Sequence, residues 1–133
     1  MKKILILIIT IVTLSSCLND DSINDQIVGE WKLTSTVCCF FEGGKTTDYS
    51  DENIIYNFQS NGILTVTGGQ NIEYPNGEYN YFFGKDYLGG DTSDPKVLLI
   101  KIDNNKWTYN LTDGIMTLSM SYIDGPILHF ERK

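Results

Sequence analysis

The chain has 133 residues, 41% of them hydrophobic and 20% charged, with a formal net charge of −7. That length suits one small domain and not two, and a domain of this size buries enough surface to fold without a metal or a disulfide framework. The acidic balance leaves no basic footprint, which argues against nucleic acid as a partner and against electrostatic docking on anionic lipid.

Lys2 and Lys3 precede an apolar stretch from Ile4 to Leu14, broken only by Thr10 and Thr13. As a helix this stretch reaches about 16 Å, half of a ~30 Å hydrocarbon core, so it is too short to span a membrane. A basic start, a short apolar run and small residues form the layout of a secretory signal, here residues 1–16. Leu14-Ser15-Ser16-Cys17 resembles the lipobox of bacterial lipoproteins. That resemblance implies a diacylglyceryl thioether on Cys17, cleavage before it, and acylation of the new amino group by a fatty acid such as palmitate. An ordinary signal peptide with a chance cysteine is the plain alternative. At ~0.8 kcal/mol per buried methylene, two or three acyl chains anchor a protein permanently. Losing residues 1–16 removes two lysines and no acid, so the mature chain would have 117 residues and a net charge of −9.

Residues 17–26 read as a lipidated tether and 27–133 as the folded domain. Within the tether, Leu18-Asn19-Asp20-Asp21 is similar to an export tag that sends some Gram-negative lipoproteins to the cell surface. A solvated acidic linker explains the pair equally well. The expected location is the outer membrane of the cell envelope, with the periplasmic and surface leaflets both open. Ser22 followed by Asp25 suits a weak helix cap and one turn over 23–28.

From residue 28 onward no long window keeps a 3.6-residue period, whereas two-residue alternation recurs between turn signals. The expected strands are 28–37, 53–59, 62–67, 77–83, 96–103, 106–112, 115–122 and 126–132. Ser60-Asn61-Gly62, Asn104-Asn105, Asp113-Gly114 and Asp124-Gly125 supply tight turns, so sequence neighbours should pair antiparallel. The fold class is all-β: an up-and-down eight-stranded barrel, with a rolled β-sandwich as the alternative.

Alternation also assigns an apolar face. Trp31, Leu33, Leu64, Val66, Phe83, Ile102, Trp107, Leu111, Met116, Tyr122 and Leu128 share it with the candidate lining of a cavity. Those lining residues are Tyr56, Phe58, Tyr79, Tyr81, Leu98, Ile100, Tyr109, Leu118, Met120 and Phe130. Val97-Leu98-Leu99-Ile100 is apolar on both sides and calls for an outer cover, from segment 39–52 or 84–95. Both segments read as long loops of the kind that carry function or move.

Gly29-Glu30-Trp31 opens the first long strand, and Arg132, the single arginine, ends the last. The pair resembles the Gly-x-Trp start and the terminal arginine of lipocalins. In that family the indole closes the barrel floor and the arginine lies across it, a contact worth roughly 0.5–2 kcal/mol. The compact lipocalin-like lipoproteins of Gram-negative bacteria are the nearest likeness, since the C-terminal helix of secreted lipocalins has no counterpart. Gly29, Trp31 and Arg132 would then be a barrel-closing motif.

Other residues carry weaker chemistry. Cys38-Cys39 admits a vicinal redox switch, or a soft-metal site completed by His129 or by Met116 and Met120. No Cys-x-x-Cys or Cys-x-His spacing supports either, and one buried and one rim cysteine is the plainer reading. His129 is the single histidine, too few for a three-histidine zinc site. Asp48, Asp51, Glu52, Asp86, Asp91 and Asp94 fit a calcium loop only loosely and read as solvated loop charges. Tyr74 and Tyr87, if exposed, would suit glycan or protein contact.

These features point to no catalytic residue, no metal and no cofactor. The expected function is a membrane-anchored lipocalin-like lipoprotein that binds a small apolar ligand without catalysis. The alternative is a protein- or glycan-interaction module of the envelope acting through its long loops.

Overall fold

A chain of short alternating strands has one apolar face to hide, and it hides it completely only when the last strand finds the first. The computed structural model describes residues 24–38 and 43–133. The signal at 1–16, the lipid site Cys17, the tether as far as residue 23, and Cys39 lie outside the described residues. The strands are β1 (Gly29–Cys38), β2 (Lys45–Asp48), β3 (Ile55–Phe58), β4 (Ile63–Thr67) and β5 (Gly77–Asp86), then β6 (Val97–Ile102), β7 (Asn105–Thr112), β8 (Ile115–Ser119) and β9 (Ile127–Arg132).

All pairings are antiparallel, and β3 to β9 follow one another around the sheet in chain order. β1 pairs with both β3 and β9, which closes eight strands into a barrel; β2 is a ninth strand laid along the upper half of β1. The Gly29 end of β1 is termed the floor below, and the Cys38 end the mouth. Ile27 and Val28 donate their amides to the Asn24 carbonyl at 3.2 and 3.3 Å, forming one turn that leads into β1. The β7–β8 hairpin turns on Asp113 (φ 53°) and Gly114 (φ 80°), a pair of left-handed residues whose twist suits a two-residue loop.

The barrel interior is filled by fully buried side chains, Trp31, Trp107, Tyr56, Phe58 and Phe130 being the largest. An eight-stranded barrel is about as wide as one layer of such side chains. The aromatic rings meet edge to face: Tyr56 against Phe130 at 4.9 Å and Phe83 against Tyr109 at 4.7 Å between centroids.

Several expectations need correction. Segment 39–52 is not all loop, because Lys45–Asp48 pairs with Ser35–Cys38. β5 runs on to Asp86 rather than stopping at 83, since β6 offers it partners through Val97. β8 stops at Ser119, and Ser121–Ile123 forms a 3-10 turn ending at Asp124 (φ 56°). Tyr122 therefore leaves the inward set and is 41% exposed. Leu111 keeps the inward parity of its strand but sits where the barrel ends, again 41% exposed. The β6–β7 turn uses Asp103 and Asn104, one residue earlier than expected.

β1 also carries a register shift between Leu33 and Ser35 in its pairing with β9. Below the shift Leu33 opposes the inward Phe130; above it Thr36 opposes the inward Leu128. Thr36 and Cys38 thus turn toward the barrel axis at the mouth, where unbroken alternation would place Ser35 and Val37.

Leu99 is fully buried although it faces outward, apart from the interior cluster. It lies between Gly84 and Thr108. Lys106 reaches diagonally across it to Asp86 at 3.0 Å and donates to the Tyr87 carbonyl. The start of segment 84–95 thus helps to cover the doubly apolar strand.

Candidate functional site

At the floor the sequence places an indole, a guanidinium and a glycine within reach of one turn of chain. The Trp31 Nε1 donates to the Ile27 carbonyl at 2.8 Å. Arg132 lies over the indole with its Cζ 4.3 Å from the ring centre, and donates to the carbonyls of Val28 (3.0 Å) and Gln26 (2.7 Å). Gly29 has φ +123°, and a β-carbon there would stand 3.0 Å from the Arg132 Nη1. Only glycine meets both conditions at once. This cluster locks the N-terminal turn, the first strand and the last strand together; it presents no reactive group.

The ten candidate lining residues divide into two sets. Tyr56, Phe58, Ile100, Leu118 and Phe130 are fully buried, whereas Tyr79, Tyr81, Leu98, Tyr109 and Met120 are partly buried and pack against them. Tyr81 and Tyr79 spend their hydroxyls on the carbonyls of Gln59 (2.5 Å) and Pro75 (2.6 Å). The hydroxyls of Tyr56 and Tyr109 are buried with no hydrogen-bond partner among the described residues. That of Tyr56 lies toward the backbone of Tyr74 without a well-formed bond, and burial pushes its phenol far above the usual range. Leaving a buried hydroxyl unpaired costs about 1–3 kcal/mol.

Above Tyr56 the mouth is closed by the loop between β4 and β5. Its ends are tied by two hydrogen bonds, Gly69 N to the Asn76 Oδ1 (2.8 Å) and Asn76 N to the Gly69 carbonyl (3.0 Å). Gly68 (φ +81°) lets the loop touch Asn53, whose carbonyl would be 2.0 Å from an added β-carbon. From this base Tyr74 drops into the barrel. It is 5% exposed, and its hydroxyl accepts the Trp107 indole N–H at 2.9 Å and an Asn105 amide N–H at 3.3 Å. Tyr74 is therefore a plug rather than an exposed contact residue.

Beside the plug a cavity of about 220 Å³ is lined by Thr36, Cys38, Tyr49, Asn71, Ile72, Glu73, Pro126 and Leu128. Burial raises the Glu73 carboxyl above its ordinary value, and the same carboxylate acts electrostatically on Tyr56 and Tyr74. Sequence reasoning missed this assembly. The Gly68-Gly69 and Asn76-Gly77 pairs that bracket the loop were its one legible sign.

A second, larger hollow of about 510 Å³ lies open at the floor, between Asn24, Asp25 and Val28, the turn Ser60–Gly62, and Tyr81–Phe83. It is a surface groove with polar and aromatic walls, away from the unpaired Tyr56 hydroxyl.

The structure does not gather the soft-metal set. His129 points outward, with its Nδ1 3.2 Å from the Thr117 Oγ1, whereas Met116 is buried inside the barrel and Cys38 stands at the mouth. Among the described residues no group of three or more His, Cys, Asp or Glu is placed to hold a metal ion. Asp48 and Asp91 each accept hydrogen bonds from residues two further on, which holds their carboxyls below the usual range. For Asp86 the Lys106 side chain is the main cause of the same shift, followed by the Tyr87 amide. Asp48 and Asp91 thus hold their own turns, and Asp86 pairs with Lys106 across the sheet. No family model, curated protein or solved structure matches the chain.

Proposed function

We propose that the protein is a lipocalin-like lipoprotein of the bacterial envelope, anchored in the outer membrane through Cys17, whose barrel binds a small, mainly apolar molecule at its mouth without catalysis. The observation that carries this reading is the Tyr56 hydroxyl, buried beneath the Tyr74 plug and unpaired among the described residues. A binding protein keeps such a group because a ligand atom satisfies it; a purely structural barrel would gain by replacing it with phenylalanine. The neighbouring cavity is small for a drug-sized ligand, typically ~300–1,000 Å³. Lifting the loop Gly68–Asn76 would enlarge it, at the cost of the Tyr74 hydrogen bonds, the Tyr79 bond to the Pro75 carbonyl and the ring contacts of Tyr74 with Tyr56, Tyr79 and Trp107. The lipocalin kinship draws its support from Gly29, Trp31 and Arg132 meeting at the floor of an eight-stranded barrel.

Native mass spectrometry of the protein released gently from its own membrane tests the reading. Wild type should carry an added small-molecule mass, and Tyr56→Phe, equally folded, should lose most of it. Bare wild-type protein would contradict ligand binding. Acyl groups missing from the Cys17 peptide would contradict the anchor.

A further inference from the structure

The mouth cavity has apolar walls inside and one charged group at its rim. Leu128 is fully buried, Ile72 and Pro126 are half-buried, and Glu73 is exposed. Among the described residues that line the cavity, Glu73 alone is charged at neutral pH. The ion pairs among the described residues are Lys106 with Asp86 and Lys133 with Glu30, so neither engages it. Packing around the carboxyl raises it with no hydrogen bond or cation to pull it back. The one carboxylate of the cavity therefore stands without a counter-charge.

The surrounding chain adds acid rather than base. Asp51 and Glu52 follow Tyr49 in the turn before β3, where the Glu52 amide donates to the Tyr49 carbonyl at 2.9 Å. Asp103 acts on the Tyr74 phenol together with Glu73, and Asp124 ends the 3-10 turn just before Pro126. Lys45, opposite Cys38 in the β1–β2 register, is exposed and forms no ion pair with Glu73. An anionic head entering here would meet a partly desolvated carboxylate, and like-charge repulsion opposes that. A protonated amine does the reverse, because its N–H groups donate the charge-assisted hydrogen bonds that the carboxylate lacks.

We infer, resting on the mouth as the ligand site, that its ligand is an amphiphile with a cationic, amine-type head held at the rim by Glu73. The apolar body passes Ile72 and Leu128 into the barrel, and the ammonium stays where water still reaches the carboxylate. A fatty acid fits the same walls but brings the wrong charge to the rim. The Tyr56 hydroxyl lies deeper, beneath Tyr74, and meets a different atom of the ligand. Glu73 thus selects the charge of the head, and Tyr56 contributes to affinity whatever that charge is.

The test titrates three probes that share one body, phenylbutylamine, phenylbutanol and phenylbutanoate, into full-length protein held in phosphatidylcholine nanodiscs. Calorimetry near neutral pH, with protein-free discs subtracted, gives the three affinities while the amine is protonated and the acid ionised. Wild type should bind the amine about tenfold more tightly than the butanoate and about threefold more tightly than the alcohol, as suits a carboxylate partly in water. Glu73→Gln should bring the amine-to-alcohol ratio to about one, whereas Tyr56→Phe should weaken all three probes and keep the ratio. Alcohol or butanoate bound as tightly as the amine, or an amine preference that survives Glu73→Gln, overturns the cationic head and leaves ligand binding at the mouth standing. A preference lost in Glu73→Gln, with no affinity moved by Tyr56→Phe, supports the charged rim and contradicts a ligand seated deeper in the barrel. Wild type that binds none of the probes overturns both. Matching near-UV circular dichroism establishes that the variants are folded.

Discussion

The floor and the mouth of this barrel solve the same problem, closing a tube, in opposite ways. At the floor the cover is built from the first and last strands themselves, and the indole and guanidinium there spend their donors on nearby carbonyls: Trp31 on Ile27, Arg132 on Val28 and Gln26. At the mouth the cover is a loop closed at Gly69 and Asn76 and held down by Tyr74 and by the Tyr79 hydroxyl on the Pro75 carbonyl, over a hydroxyl without a partner among the described residues. A cluster tied to strand pairing opens only when the barrel unfolds, whereas a loop outside the strand ladder opens locally. The contrast assigns stability to one end and exchange with the surroundings to the other.

The largest test of that division is Trp31→Ala. Removing a buried indole from the floor should cost about 3–5 kcal/mol, a large part of the ~5–15 kcal/mol that holds such a domain together. Urea denaturation should show a midpoint far below wild type; a loss under 1 kcal/mol would mean that the floor is not the clasp. Tyr74→Phe sharpens the mouth. It leaves the buried Trp107 N–H without an acceptor, so a cost of about 1–3 kcal/mol is expected in the same assay. An unchanged midpoint would show that the plug is not seated.

Tyr56→Phe should behave in the opposite sense. Deleting a buried hydroxyl that has no partner among the described residues strands none of them, so stability should stay within ~0.5 kcal/mol of wild type or rise. A loss of more than 1 kcal/mol would reveal a hydrogen bond that fills the site from within the protein. The smallest effect concerns Glu73. Burial raises its folded-state value above the ordinary 4.5, so its ionisation works against folding. This contribution is most favourable below the unfolded value and declines as pH rises through the raised one. Glu73→Gln should therefore gain stability over wild type as pH climbs through that window, with the difference level above it. Glu73 is exposed, and solvent screening keeps the gain small. A difference that shrinks with rising pH would place Glu73 in a stabilising ion pair instead.

Much of the floor and most of the strands were legible in the sequence because each rests on a repeated or singular signal. Alternation in Trp107-Thr108-Tyr109 and in Ile127–Phe130 marks an inward face, and a lone arginine has few places to go. What was not legible lacked contrast. Thr34, Ser35 and Thr36 are all small and polar, so the register shift that turns Thr36 and Cys38 inward leaves no trace in hydropathy. Lys45-Thr46-Thr47-Asp48 has no apolar face to advertise β2. Tyr122 misled by continuing the Met116-Leu118-Met120 alternation past the 3-10 turn that ends it. The plug was hidden for a different reason. Ile72 and Tyr74 are two apolar residues in a Gly- and Asn-rich stretch, and their burial depends on how the whole loop folds back into the mouth.

Amide hydrogen exchange across the whole chain tests the central claim most directly, comparing protein loaded with lipid extract from its own membrane with protein stripped of it. The account predicts that residues 68–76 exchange quickly when stripped and slow down on loading, while the amides of β1 and β9 around Trp31 and Arg132 stay slow in both. Protection gained at the floor groove around Asn24 and Gly62, or no change anywhere, would contradict it.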